Sequence, residues 1–317
     1  MSNGEYMIKR KKLGLAFGGG GARGFAHVGV LEVLEREDIK VDSIAGASMG
    51  AIMAGMYAIG MPLEKIKKIV LNFQHLHIEP AKYLNLLHES ILKNEFVEEV
   101  LAQIFGDLTF ADCKIPFTTV AVDLESGKEV VFKDGLLKDA IQASASIPII
   151  FPPKFHQDRY LIDGGVLNNL PLNCLTEHNP DVLLGVKLVN FTSQQYISGM
   201  VYKKYHQQKF KKLFKKVNFI KTFLNKRKQD TQLLVGIALR ALDIASKDST
   251  NRKIDLANPD ILLEPKVQCG LLEFDKAQDA IEKGKECMEE QLPKLKELLY
   301  GGASEAQSEA KPEPESA

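Results

Sequence analysis

Three stretches of this chain carry residue types and spacings that could do chemistry. The first is a glycine run, in which Gly19-Gly20-Gly21-Ala22-Arg23-Gly24 satisfies G-x-G-x-x-G between an apolar stretch, Leu13 to Phe17, and a helical pattern. A loop of that kind turns several backbone N–H groups toward one point at a helix N-terminus, where negative charge is stabilised. The charge could be a dinucleotide pyrophosphate or the oxyanion of a tetrahedral intermediate. A Walker A loop is excluded, because Arg23 and Gly24 stand where Lys and Ser/Thr are required. The second stretch, Gly46-Ala47-Ser48-Met49-Gly50, reads G-x-S-x-G, the pattern of a nucleophile elbow. Its glycines, Gly46 and Gly50, relieve the crowding of a sharp turn that exposes the Ser48 hydroxyl. The third, Arg159 to Gly165, sets Asp163 just past a strand, with Gly164 and Gly165 permitting close approach of another backbone. An ordinary Asp-Gly turn is its plainer reading. A nucleophilic serine needs a base, and none of the histidines (His27, His75, His77, His88, His156, His178 and His206) sits in a motif that would supply one.

These stretches need elements to hold them. A strand at Leu13–Phe17, a helix over Ala22–Glu37, a second strand at Ile39–Ile44 and a helix after Ser48 make a βαβα opening, which predicts a largely parallel sheet with helices on its faces. Further strands are expected at Phe117–Asp123, Glu129–Phe132, Tyr160–Ile162, Val182–Val189 and Ile261–Glu264. Helices are expected at Pro62–Phe73, Asn94–Phe105, Leu136–Ala145, Gln232–Ser246 and Asp275–Tyr300. A dinucleotide-binding fold expects an acidic residue at the end of its second strand; Asp42 lies about 20 residues past the glycine run, but the elbow follows that strand directly. Ile44 to Leu63 is uncharged and long enough to span a bilayer, yet it is broken by glycines and ends at Pro62. A buried core helix stopping near Gly60 fits it better than a membrane span. Met49, Met53, Met56 and Tyr57 after the elbow read as core or as the lining of an acyl channel.

At 317 residues, 45% apolar and 26% charged, the chain is neither disordered, collagenous nor a small disulfide scaffold. Its 41 basic residues match its 41 acidic ones, so no global field draws it to nucleic acid. Cys113, Cys174, Cys269 and Cys287 are scattered without a C-x-x-C pair and read as free thiols. The apolar run after Lys9-Arg10-Lys11-Lys12 stops at glycine, short of the roughly 7–15 residues of a signal peptide core, and a cytoplasmic protein is expected. Between Lys203 and Lys228 stand eleven Lys or Arg and no Asp or Glu, with Phe210, Leu213, Phe214, Val217, Ile220 and Leu224 at helical spacing. Such a helix suits an anionic membrane surface, or packs its apolar stripe on this protein's own core or on another subunit. No module for reading a groove or stacking bases accompanies it, so nucleic acid is not an expected partner.

Together, four ordered blocks resemble the patatin-like phospholipases. Gly18 to Leu31 is similar to that family's glycine-rich block, Gly46 to Ala51 to its elbow, Ala143-Ser144-Ala145-Ser146-Ile147-Pro148 with Phe151-Pro152-Pro153 to its third block, and Asp163 to Pro171 to its Asp-Gly-Gly block. The resemblance implies a three-layer α/β/α sandwich with a mixed, mostly parallel sheet over residues 13–300, after a lead at 1–12 and before a disordered acidic tail at 301–317. The basic elaboration at about 196–230 stands outside it. The resemblance further implies a Ser48–Asp163 dyad working without histidine, an oxyanion hole from the N–H groups of Gly19, Gly20 and Gly21, and a supporting role for Arg23. The implied activity is serine lipid acyl-hydrolysis, with neither metal nor cofactor; the basic segment adds the expectation of a peripheral place at the inner membrane face. Kept beside it are an esterase or thioesterase on soluble acyl substrates, a dinucleotide- or anion-binding module, and a membrane adaptor.

Overall fold

A computed structural model describes residues 10–73, 94–188 and 219–301. The N-terminal residues 1–9, His75, His77, His88, residues 203–218 of the basic segment and the tail from 302 lie outside the described residues.

Eight strands form one sheet: β1 (Leu13–Phe17), β2 (Ser43–Gly46), β3 (Phe117–Asp123), β4 (Glu129–Phe132), β5 (Lys154–His156), β6 (Arg159–Asp163), β7 (Val182–Val186) and β8 (Ile261–Leu263). β8, β7, β1, β2 and β3 run parallel in that spatial order, and the pairings of β4 and β6 with β3 and of β5 with β6 are antiparallel. The helices are α1 (Ala26–Arg36), α2 (Met49–Ala58), α3 (Leu63–Asn72), α4 (Asn94–Phe105), α5 (Leu137–Ser144), α6 (Phe219–Ala257) and α7 (Ala277–Tyr300).

Alternation along the strands sorts the two faces. Leu13, Leu15, Phe17, Ile44, Val182, Leu184, Val186, Ile261 and Leu263 point to the larger core, shared with α1, α2, α3 and α7. On the other face Ala16, Ala45 and Val120 meet Leu170, Leu172 and Leu175 around a 3₁₀ segment at Leu172–His178, together with Ile254 of α6. Helical layers therefore cover both faces of a mixed, mostly parallel sheet, the expected α/β/α architecture.

Register at β3 does most to place the site. Thr119 pairs with both Phe132 of β4 and Gly46 of β2, while Ala121 pairs with both Val130 of β4 and Asp163 of β6. A strand has two edges, and β4 occupies one of them over this whole stretch. β2 and β6 therefore share the other edge, running toward each other and ending two β3 residues apart, roughly 7 Å.

Several expectations shift. The second strand begins at Ser43, not Ile39, and runs straight into the elbow. The backbone before it turns back at Asp38 (φ 51°), and the Ile39 N–H closes on the Leu34 carbonyl. The helix expected at Gln232–Ser246 is part of the continuous 39-residue α6, which also takes in residues 219–228 of the basic segment. β5 was not anticipated. The Ile44–Leu63 stretch divides into strand, elbow, a ten-residue α2 and a turn at Gly60, and no helix among the described residues is long and apolar enough to cross a membrane. All four cysteines are free.

Candidate active site

Ser48 sits between β2 and α2 at φ 54°, ψ −124°, a conformation costly for any residue with a Cβ. The turn is tight enough that a Cβ at Gly50 would lie 2.3 Å from the Phe17 carbonyl oxygen, and one at Gly46 would lie 2.4 Å from the Gly50 carbonyl oxygen. The Ser48 N–H donates to Ser144 Oγ at 3.0 Å. The residue is 5% exposed, so the hydroxyl expected to be solvent-facing is enclosed.

Asp163 ends β6, also 5% exposed. The Ser48 side chain acts on its carboxylate, and Oδ1 accepts a hydrogen bond from the Gly165 N–H at 2.7 Å. Burial pushes the carboxyl up to about 6, against the lowering effects of Ser48 and of the Gly165 N–H. The Asp163 N–H is fixed on the Ser146 carbonyl at 2.9 Å. One short segment, the end of α5 and the residues after it, thus braces both partners: Ser144 holds Ser48, and Ser146 holds Asp163. Gly164 lets the chain lie against β3, where a Cβ would come 2.1 Å from the Val120 carbonyl oxygen, and Gly165 leaves space beside Asn169 Oδ1 and Asp163 Oδ1.

The glycine loop reaches the same place. A Cβ on Gly19 would stand 2.9 Å from the Ser48 Cβ. Its N–H, however, donates to the Asn169 carbonyl at 3.1 Å, and the Asn169 Nδ2 donates back to the Gly19 carbonyl at 3.1 Å. In this arrangement Gly19 clamps the glycine loop to Asn169. The N–H groups of Gly20 and Gly21 have no protein acceptor among the described residues. Arg23 is buried, with Nε donating to the Gly20 carbonyl at 3.1 Å, so its guanidinium orients the loop; desolvation lowers its pKa while Cys269 and Asp243 pull it up.

His27 is no base. Fully buried and stacked on Phe17, it sets Nε2 2.8 Å from the Gly18 carbonyl, and desolvation holds its pKa down at about 4, leaving a neutral ring whose Nε2–H faces that oxygen. Asp42, the acidic residue a dinucleotide site would use, lies at the opposite end of β1, clasping Arg10 at 2.7 Å and the Leu13 N–H at 2.6 Å.

Sequence reasoning passed over the brackets around the site. Ser144 and Ser146 lay within a quoted block without assigned roles. Asn169 likewise lay within the Asp163–Pro171 block without a role, and the polar face of α6 gave no signal, since the partners lie 81 to 150 residues away.

The patatin-like phospholipase family model matches residues 15–175, just over half the chain and the part holding Ser48 and Asp163. The chain belongs to the patatin-like phospholipase family. Among patatin-like and related proteins, it is 36% identical over 184 residues to an uncharacterized NTE family protein of Mycobacterium bovis, covering 56% of this chain and 49% of that one. A Mycobacterium tuberculosis NTE family protein, also uncharacterized, is 26% identical over 279 residues, 88% of this chain and 46% of its own. Mouse patatin-like phospholipase domain-containing protein 6 is 30% identical over 164 residues, 50% of this chain and 12% of its own. The chain thus spans about half the length of these mycobacterial relatives. VipD from Legionella pneumophila aligns over 90% of this chain and 67% of its own at a TM-score of 0.47 and 13% identity.

Proposed function

We propose that this chain is a serine lipid acyl-hydrolase that cleaves fatty acyl esters of phospholipids, lysophospholipids or acylglycerols through a Ser48–Asp163 dyad. The observation that carries the reading is a serine held at φ 54° whose side chain acts on a buried carboxylate, with the pKa of that carboxyl pushed up to about 6. An ordinary aspartate, near 3.9, is a poor acceptor for a serine proton; one near 6 is better matched to operation around neutral pH.

The mechanism follows in two halves. As Ser48 Oγ attacks the acyl carbonyl carbon, its proton passes to Asp163, and the new oxyanion is met by the N–H groups of Gly20 and Gly21, each donor worth about 3 kcal/mol. Collapse breaks the ester C–O bond, and the proton on Asp163 goes to the leaving alcohol. In the second half Asp163 takes a proton from water as the water oxygen attacks the acyl-Ser48 carbonyl. Return of that proton to Ser48 Oγ releases the fatty acid. No step calls on a metal or organic cofactor.

The protein is proposed to work peripherally at the anionic inner face of the membrane, from the cytoplasmic side, with the Lys203–Lys228 segment as its contact. Support comes from the charge of that segment. The deciding experiment is fatty acid release from mixed anionic phospholipid vesicles by the native protein and by Ser48→Ala. Release abolished in Ser48→Ala supports both the reaction and its nucleophile. Equal release by a Ser48→Ala preparation free of other esterases would sink the dyad. If neither protein acts on vesicles but soluble esters or thioesters are cleaved in a Ser48-dependent way, the dyad stands and the lipid substrate is wrong.

A further inference from the structure

The loop that carries Asp163 has few backbone partners of its own. After the antiparallel pairing with β3 ends at Asp163, the chain makes one 3₁₀ turn at Gly164–Val166, in which the N–H groups of Leu167 and Asn168 close on the Gly164 carbonyl. The Gly165 and Leu167 carbonyls and the Asn169 N–H are satisfied elsewhere, on α6. Ser246 Oγ donates to the Gly165 carbonyl, Ser249 Oγ donates to the Leu167 carbonyl at 2.6 Å, and the Asn169 N–H donates to Thr250 Oγ1 at 3.1 Å. One turn further along, the Lys253 ammonium pairs with Glu129 of β4, whose other carboxylate oxygen accepts from Asn168 Nδ2 at 2.8 Å. Positions 246, 249, 250 and 253 fall on one helical face, so a single stripe of α6 follows the loop residue by residue. Serine and threonine are poor choices for a helix interior, and their hydroxyls there ordinarily bond to their own helix. Here they are turned outward onto the segment that begins two residues after Asp163. The stripe continues to Asp243, which acts on the charge of Arg23, the residue gripping the Gly20 carbonyl.

We propose that Ser246, Ser249 and Thr250 of α6 are positioning residues that fix the Asp163–Asn169 loop, so that this one helix sets where the general base stands relative to Ser48. The inference rests on the dyad reading above. It requires that the hydroxyls act through the loop, not by touching substrate.

The test compares the wild-type chain with Ser249→Ala/Thr250→Val and with Thr250→Ser, which keeps the acceptor oxygen. Two readouts are taken: amide hydrogen exchange of the peptide spanning residues 163–172, and the pH profile of kcat on a soluble monomeric ester. For the double variant the expected result is exchange at Gly165 and Asn169 at least tenfold faster. Its kcat should fall about tenfold or more with KM within twofold, and the acid limb of the kcat profile should move to lower pH as the carboxylate gains access to water. Thr250→Ser should stay near wild type in both readouts. A helix that merely packs would cost thermal stability without moving the acid limb. Unchanged exchange in the double variant overturns the proposal, as does faster exchange with kcat and acid limb unmoved. Should the double variant fail to fold, Ser249→Ala alone is judged by the same criteria. A wild-type chain that cleaves no ester defeats the dyad reading instead, and the exchange measurement still decides whether α6 fixes the loop.

Discussion

Ser48 and Asp163 are each held in a state that costs folding energy. Burial moves the Asp163 carboxyl from 3.8 to about 6, so ionising it in the folded protein costs roughly 3 kcal/mol more than in the unfolded chain. The folded state binds this proton more tightly than the unfolded state. The cost is therefore absent below about pH 4, grows from there to about pH 6, and is complete above it. Asp163→Asn keeps an acceptor for Ser48 and for the Gly165 N–H but removes the charge. Thermal melts should show this variant more stable than wild type at pH 7–8, with the two converging near pH 4, while ester hydrolysis is lost. His27 acts in the opposite direction. Its pKa, lowered from 6.5 to about 4, disfavours the folded state as pH falls through that window, so the wild-type stability curve is flatter there than that of Asp163→Asn. At Ser48 the cost lies in the backbone. Glycine is at ease at φ 54° and alanine is not, so Ser48→Gly should be more stable than Ser48→Ala by about 1 kcal/mol in denaturant titrations, with both inactive.

At the scale of elements, β3 is the common ruler for two strands that never pair with each other. Thr119 Oγ1 donates to the Gly46 carbonyl at 2.8 Å at the tip of β2, two residues from where Ala121 meets Asp163. Thr119→Val preserves shape but removes one hydrogen bond to that buried carbonyl. It should cost about 1–2 kcal/mol of stability, and kcat on a monomeric ester should drop with KM little changed. Much of this scaffold was legible in the sequence. β3, β4 and α4 fall within the expected bounds, because apolar alternation and helical periodicity ran there without interruption. β2 was misplaced because Ile39 and Val41 are buried outside the strand and imitate its pattern. β5 left no mark, since three residues with Phe155 exposed on a hairpin carry no alternation to read. The turns that carry Ser48 and Asp163 were legible because glycines flank them; the proposed pairing of the two came only from the family resemblance. Its supports were not, because a serine in α5 or α6 looks like any other helical serine until the fold brings its partner to it.

Over the whole molecule, the balance of 41 basic against 41 acidic residues hides a polar layout. The Lys203–Lys228 window holds eleven of the cations and no acid, so the rest of the chain is net acidic and would be repelled by the anionic surface proposed to bind the window. Replacing the seven lysines from Lys203 to Lys216 with Gln should release the protein from anionic vesicles in sedimentation assays and reduce vesicle hydrolysis at least tenfold. Cleavage of a monomeric ester should be unchanged, and raising salt should reproduce the effect on the wild-type chain. If the substituted protein still binds vesicles as wild type does, the contact lies elsewhere. The close seating of Gly164 on β3 bears on descent as well as on mechanism. With the Val120 carbonyl 2.1 Å from where a side chain would begin, any replacement there lifts Asp163 away from Ser48 while leaving both letters in the sequence. A lineage that abandoned this chemistry could therefore keep serine and aspartate as relics, and the glycine beside them would be the better witness to whether the enzyme is still alive.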